Sequence, residues 1–285
     1  MKYIRIIPRL DIKGPNLVKG IHLEGLRVLG KPEDFAQFYY EQGADELIYQ
    51  DTVASLYQRN NLTEVVTRTA EKIFIPLTVG GGIRTQDDIN NVLRAGADKI
   101  SINTAAISHP EFINQASKTF GSSTIVAAIE AMRQPDGTYL AYTDNGREYT
   151  GKEVLAWARE VEERGAGEIL LTSIDQEGTG NGFDLELIGM VTRTVNIPVI
   201  VHGGAANLFH IVEAIRSAGA DAVAIASMLH YAALNRNKNI TRKYEDEGNI
   251  EFLKKNNSFK VFGTENLTGI KTQLNQHKIP LRVLE

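Results

Sequence analysis

The chain has no cysteine among its 285 residues, which excludes disulfides, thiolate metal sites and a thiol nucleophile, and suits a reducing cytoplasm. It also lacks an excess of one charge: 31 Lys plus Arg stand against 35 Asp plus Glu, a net of −4. A polyanion-binding surface is therefore not expected, nucleic acid is excluded as a partner, and any phosphate has to be captured locally. Long apolar runs are missing too. The N-terminal stretch is broken by Arg5, Pro8 and Arg9 before a signal-peptide core can form, and no run elsewhere is long enough to span a bilayer. The expectation is a cytoplasmic, soluble protein. What is present is an ordinary globular composition, 42% apolar and 23% charged, in a length that fits two domains or one large α/β barrel.

The chain repeats itself. EQGADELIYQD from Glu41 returns as ERGAGEILLTSID from Glu163, PLTVGGG from Pro76 as PVIVHGG from Pro198, and AGADKISINTA from Ala95 as AGADAVAIASM from Ala218. Arg9-Leu10-Asp11 stands opposite Ala128-Ile129-Glu130, so two half-chains of about 120 residues share one plan. Short β-branched runs beginning near Ile4, Glu46, Ile75, Lys99, Thr124, Glu168, Ile197 and Ala222 alternate with helical segments such as Pro32 to Gln42 and Gly151 to Arg164. Eight βα units predict an α/β fold, a (β/α)8 TIM barrel made of two fused half-barrels. Gly14-Pro15-Asn16 and Pro135-Asp136-Gly137 predict loops after the first and fifth strands. We expect a single domain over 1–285, with half-barrels at about 1–120 and 121–231. A polar insertion at about 237–262, read as solvated helix and loop, and a helix ending near His277 complete it.

Working residues of such barrels sit at the C-terminal ends of the strands. Asp11 closes the first strand and its repeat mate Glu130 the fifth, across the ring. Two carboxylates at one mouth suit general acid and base chemistry, although either alone also fits a helix cap or a loop ion pair. Gly80-Gly81-Gly82 with Ser101 to Thr104, and Gly203-Gly204 with Ala226-Ser227, form two glycine-lined anion cradles related by the repeat. Together they imply a substrate phosphorylated at both ends, unless one cradle is a tight turn left by duplication. At the opposite end Arg5, Glu46, Lys99 and Glu168 stand at quarter-turn intervals with charges summing to zero, either as structural closure or as a gate.

These motifs resemble the cyclase subunit of imidazole glycerol phosphate synthase over about residues 1–231. LDIKG with Lys19-Gly20, TVGGGI, GADKISINTAA, ERGAGEILLTSID and EGTGNGFD carry the likeness. The resemblance implies a lyase/cyclase of histidine biosynthesis with no cofactor or metal. It implies a glutaminase subunit docked on the N-terminal face of the barrel, in a heterodimer, and ammonia passing a gate of Arg5, Glu46, Lys99 and Glu168. The substrate it implies is a bisphosphorylated ribulosyl aminoimidazole, converted to imidazole glycerol phosphate and aminoimidazole carboxamide ribotide. Carried over by position, Asp11 and Glu130 are catalytic, with Asp11 the general base. Gly82, Asn103, Thr104, Gly203, Gly204, Ala226 and Ser227 hold the phosphates. Lys19 sits on a mobile loop, and Asp51, Thr78, Thr172 and Glu177 line the site. The chain departs from the pattern where the family has Asp at 130, Lys at 132, Asp at 177 and Ser at 202; here these are Glu130, Met132, Glu177 and His202. Such a cluster is what a changed substrate would produce. It leaves open a paralog that delivers ammonia for acetamidino-sugar formation in surface-polysaccharide synthesis, and a non-catalytic scaffold of a glutaminase.

Overall fold

The computed structural model describes residues 3–54, 62–236 and 262–282. Eight parallel strands close on themselves: β1 (Arg5–Lys13), β4 (Leu47–Asp51), β5 (Leu77–Gly80), β6 (Lys99–Ile102), β7 (Ile125–Arg133), β10 (Glu168–Ser173), β11 (Val199–His202) and β12 (Ala222–Ile225). Each pairs with the next around the ring, and β12 returns to β1 through Arg5 opposite Ala222. This is the predicted (β/α)8 barrel, with strand starts within two residues of their sequence positions.

Four further strands correct the sequence reading. The segments after β1 and β7 are antiparallel hairpins rather than loops: β2 (Asn16–Ile21) with β3 (Glu24–Gly30), and β8 (Tyr139–Thr143) with β9 (Glu148–Glu153). The Gly and Pro signals mark their turns, and Leu17, Val18, Tyr139 and Ala141 bury the faces that make them strands. Each hairpin runs into a helix, α1 (Pro32–Glu41) and α6 (Val154–Glu163), so the duplication extends to these insertions.

The outer layer continues with α2 (Thr63–Ala70), α3 (Gln86–Arg94), α4 (Thr104–Ser108), α5 (Glu111–Phe120), α7 (Leu185–Thr192), α8 (Leu208–Arg216), α9 (Ser227–Arg236) and α10 (Leu267–Gln276). Local chemistry starts several of them. Thr85 and Asp88 form a reciprocal capping box, and the side chains of Glu153, Asp184, Asn207 and Asn266 accept first-turn N–H groups. The large core lies between strands and helices. A second apolar set, Ile7, Ile48, Val126, Ala128, Leu170, Ile200, Ala222 and Ala224, fills the barrel interior. The polar insertion falls almost wholly outside the described residues. The helix expected to end near His277 ends at Gln276 and is followed by a bridge between Ile4 and Leu281. Among the described residues, no helix is long and apolar enough to cross a membrane.

Candidate active site at the barrel mouth

Alternation along β1 turns Arg5, Ile7, Arg9 and Asp11 into the barrel, and these four mark its successive levels. At the floor Arg5 donates to Glu46 at 2.7 Å and pairs with Glu168 at 3.1 Å, while Lys99 reaches Glu46 and Glu168, each at 3.2 Å. The four residues form a closed square of ion pairs. Burial alone lowers the basicity of the Arg5 guanidinium, but Glu168 and Glu46 outweigh it and hold the group above its ordinary range. Thr78 joins this ring, its hydroxyl donating to Glu46 at 2.7 Å. The expectation that Thr78 lines the mouth is thereby corrected: it pairs in register with Lys99, at the floor end of β5.

Above the floor comes the apolar interior set, and above that a charged layer. Arg9, 2% exposed, donates from Nε to Asp11 at 2.9 Å and from Nη1 to Thr172 and His202, each at 3.0 Å. The arginine of β1 thus arches to β10 and β11, over the space that Ala222 and Ala224 leave on β12. Arginine can only donate, so His202 Nδ1 accepts. Burial, with the Arg9 cation beside it, keeps this imidazole neutral, well below its ordinary pKa.

Lys19 reaches the second Asp11 oxygen at 3.4 Å and pairs closely with Glu177. It stands on β2, in the hairpin closed over the mouth, not on an irregular loop. The tip of that hairpin is tied down. Glu177 accepts the N–H of Leu23 at 2.8 Å through its carboxylate and that of His22 at 2.9 Å through its carbonyl, while Asn145 donates to the Leu23 carbonyl at 2.9 Å. Burial pushes Asp11 up, but the Arg9 and Lys19 cations overcome it and hold the carboxyl far below the usual carboxylate range. Lys19 is held above its ordinary value by Glu177 and Asp11 despite its burial. Two buried cations and two buried anions compensate one another, the condition for stabilising any of them away from water.

This layer parts the mouth into two cavities. The larger is lined by Asp51, Gly82, Asn103, Thr104, Ala128 and Glu130 among others. The smaller is lined by Lys19, Glu177, His202, Gly203, Gly204, Ala226 and Ser227 among others. Each predicted cradle thus lines its own cavity, and Asp11 and Thr172 lie in the partition. Gly81 and Gly204 need to be glycine: both have positive φ, and a Cβ would collide with the Asp51 backbone and the Gly182 carbonyl respectively. In the larger cavity Asn103 donates to the Tyr142 carbonyl at 3.1 Å, and its buried Oδ1 and the nearby Ser101 hydroxyl have no partner among the described residues. Asp51 accepts the N–H groups of Val53 and Ala54, both at 2.9 Å, and burial still raises its pKa. Glu130 accepts the Gly146 N–H at 2.7 Å. Burial, aided by Asp11 and Asp144 and opposed by Arg9, pushes its carboxyl up to about 7.

Two contributors escaped the sequence reading: Arg9 and Asn145. A charged residue two places before Asp11 in an apolar strand was the available signal for Arg9.

The profile of a family described as histidine biosynthesis protein matches residues 5–235. An imidazole glycerol phosphate synthase subunit HisF from Legionella pneumophila is 61% identical over 208 residues, covering 73% of this chain and 98% of that protein. Proteins of the same name from Trichormus variabilis and Gluconacetobacter diazotrophicus are 48% and 47% identical, each covering 81% of this chain and 91% and 89% of their own lengths. Barrel, repeat and matched length agree, and the chain belongs to the histidine biosynthesis protein family.

Proposed function

We propose that the chain is the ammonia-using cyclase/lyase subunit of imidazole glycerol phosphate synthase, a single barrel domain acting in the cytoplasm with a glutaminase subunit docked on its floor. The observation that carries this reading is the neutral ring of Arg5, Glu46, Lys99 and Glu168 below an apolar barrel interior that ends at Ala128, directly beneath Glu130. Uncharged ammonia crosses such an interior at little cost, whereas ammonium does not. Both ends of the substrate are phosphorylated, matching a mouth with one glycine-lined cradle on each side: Gly82, Asn103 and Thr104 on one, Gly203, Gly204, Ala226 and Ser227 on the other. Asp51, Thr172, Lys19 and Glu177 frame the space between, and the mouth carboxylates Asp11 and Glu130 serve proton transfer.

A second reading is favoured by one observation: the partition of Arg9, Asp11, Lys19 and Glu177 stands where a bisphosphate joining the two cradles has to pass. A paralog supplying ammonia to an acetamidino-sugar amidotransferase has no need of that passage. The purified chain, given ammonium and the histidine-pathway bisphosphate, decides between them. Consumption of the bisphosphate is expected for the cyclase. No consumption by a chain that still binds a glutaminase subunit would favour the paralog.

A further inference from the structure

The repeat that builds the two cradles also sets what lies outside them, and there the halves differ. Ala206 is the repeat mate of Arg84, and Ser227-Met228 of Thr104-Ala105. In the first half Arg84, Thr104 and Ala105 line both the larger cavity and a surface groove that runs on past Ser108, His109 and Gln115. The larger cradle is therefore open on its outward side. In the second half the matching positions are covered by the chain as it leads into α10. The Gly263 N–H donates to the Ala206 carbonyl at 2.7 Å, and a Cβ at Gly263 would meet that oxygen at 3.2 Å and Met228 Cε at 3.7 Å. Phe262 lines the smaller cavity together with Ala226 and Ser227, and its ring packs on Tyr231 of α9 with centroids 5.3 Å apart. The start of α10 anchors this segment: the Asn266 side chain caps the helix, and the Leu267 N–H donates to the Gln42 side chain at 3.0 Å. Phe262 and Gly263 lie beyond the repeated part of the chain, so the first half has no counterpart to them.

We propose that Phe262 is a specificity-determining residue: with Gly263 it walls the outward side of the second cradle, which admits only an unsubstituted terminal phosphate, whereas the first cradle also admits a phosphoryl group bearing an outward substituent. The inference rests on the reading of both cradles as phosphate sites. Its physical content is packing. A phosphate at the N-terminus of α9 meets backbone N–H groups from below. On its inner side stands the partition, through Lys19, Glu177 and His202, and on its outer side the Phe262 ring. A second phosphoryl or ester group has no side left to occupy, and close-packed ring and backbone atoms give way only at a cost. At the first cradle the same group runs out past Arg84 into the groove. A doubly phosphorylated ligand with one substituted end thus has a single orientation, in a mouth whose cradles the repeat otherwise makes alike.

The test is an amide NMR titration of the full chain with inorganic phosphate and, separately, with pyrophosphate, a phosphate bearing one further group. The amides of Gly82 and Thr104 report the first cradle, those of Gly204 and Ser227 the second. Inorganic phosphate is expected to shift both pairs. Pyrophosphate is expected to shift the first pair and to bind the second cradle at least about tenfold more weakly. Phe262→Ala is expected to bring the two affinities within about threefold of each other, while Phe262→Leu, which keeps most of the bulk, retains the native preference. The first pair reports the fold of each variant. Pyrophosphate reaching both cradles equally in the native chain overturns the inference, and so does a ratio unmoved in a folded Phe262→Ala chain. The native titration decides even if Phe262→Ala fails to fold. Inorganic phosphate shifting neither pair removes the cradle reading itself, and the inference with it. Failure of the cyclase reading registers separately, as absence of bisphosphate consumption.

Discussion

Glu130 holds a proton in the folded chain over a pH range in which an unfolded glutamate has released it. Its carboxyl is raised from 4.5 to about 7, so between those values the native state binds more protons than the unfolded state. Stability therefore falls as pH rises through that window, and the loss is complete above it. Glu130→Gln keeps an acceptor for the Gly146 N–H and carries no buried charge. The variant is expected to be more stable than the native chain at pH 8.5, by on the order of 3 kcal/mol, and nearly equal to it at pH 4.5. Urea unfolding at the two pH values measures the difference. The residue scale also shows what a sequence conceals. Alternation along β1 turns Arg9 inward, but its partners Thr172 and His202 lie 163 and 193 residues away, and only barrel closure brings them near. Thr78 failed for the opposite reason: β5 is four residues long, so floor and mouth lie only two residues apart on its inward face, finer than strand boundaries can be read.

The β2–β3 hairpin turns through His22 and Leu23 at φ 51° and 62°, the left-handed region that costs a non-glycine residue roughly 1–2 kcal/mol each. Glu177 offsets that cost, because its carboxylate and carbonyl receive both tip N–H groups while its charge meets Lys19. Glu177→Ala is expected to lower amide-exchange protection across Leu17–Leu29 by about tenfold to a hundredfold, the loss of one or two charge-assisted bonds, while β5 and β6 keep theirs. Exchange followed by mass spectrometry reads it. At this scale the eight barrel strands were legible from their β-branched runs. The hairpins were not, since turn signals mark where a chain reverses and say nothing of whether the reversed segments pair.

The whole molecule was the most legible scale, because a repeat of about 120 residues leaves few closed α/β architectures. The floor ring belongs here, as each of its members comes from a different part of the circuit: Arg5 opening β1, Glu46 just before β4, Lys99 opening β6 and Glu168 opening β10. Lys99→Met leaves two carboxylates sharing Arg5 alone. It is expected to reduce glutamine-supported turnover of the assembled complex at least tenfold while ammonium-supported turnover of the barrel subunit persists, and paired assays with the two nitrogen sources measure the ratio. Equal loss in both would assign the ring to closure alone.

The partition at the mouth also bears on ligand chemistry. Two small anions, bound one in each cradle, lie on opposite sides of this layer, so neither displaces the other. Joining them is another matter. A tether has to replace the Arg9 bonds to Thr172 and His202, or arch over the Lys19–Glu177 pair beneath the hairpin. The avidity of a bivalent inhibitor is then governed by the route of its linker, and lengthening a linker that cannot take either route gains nothing.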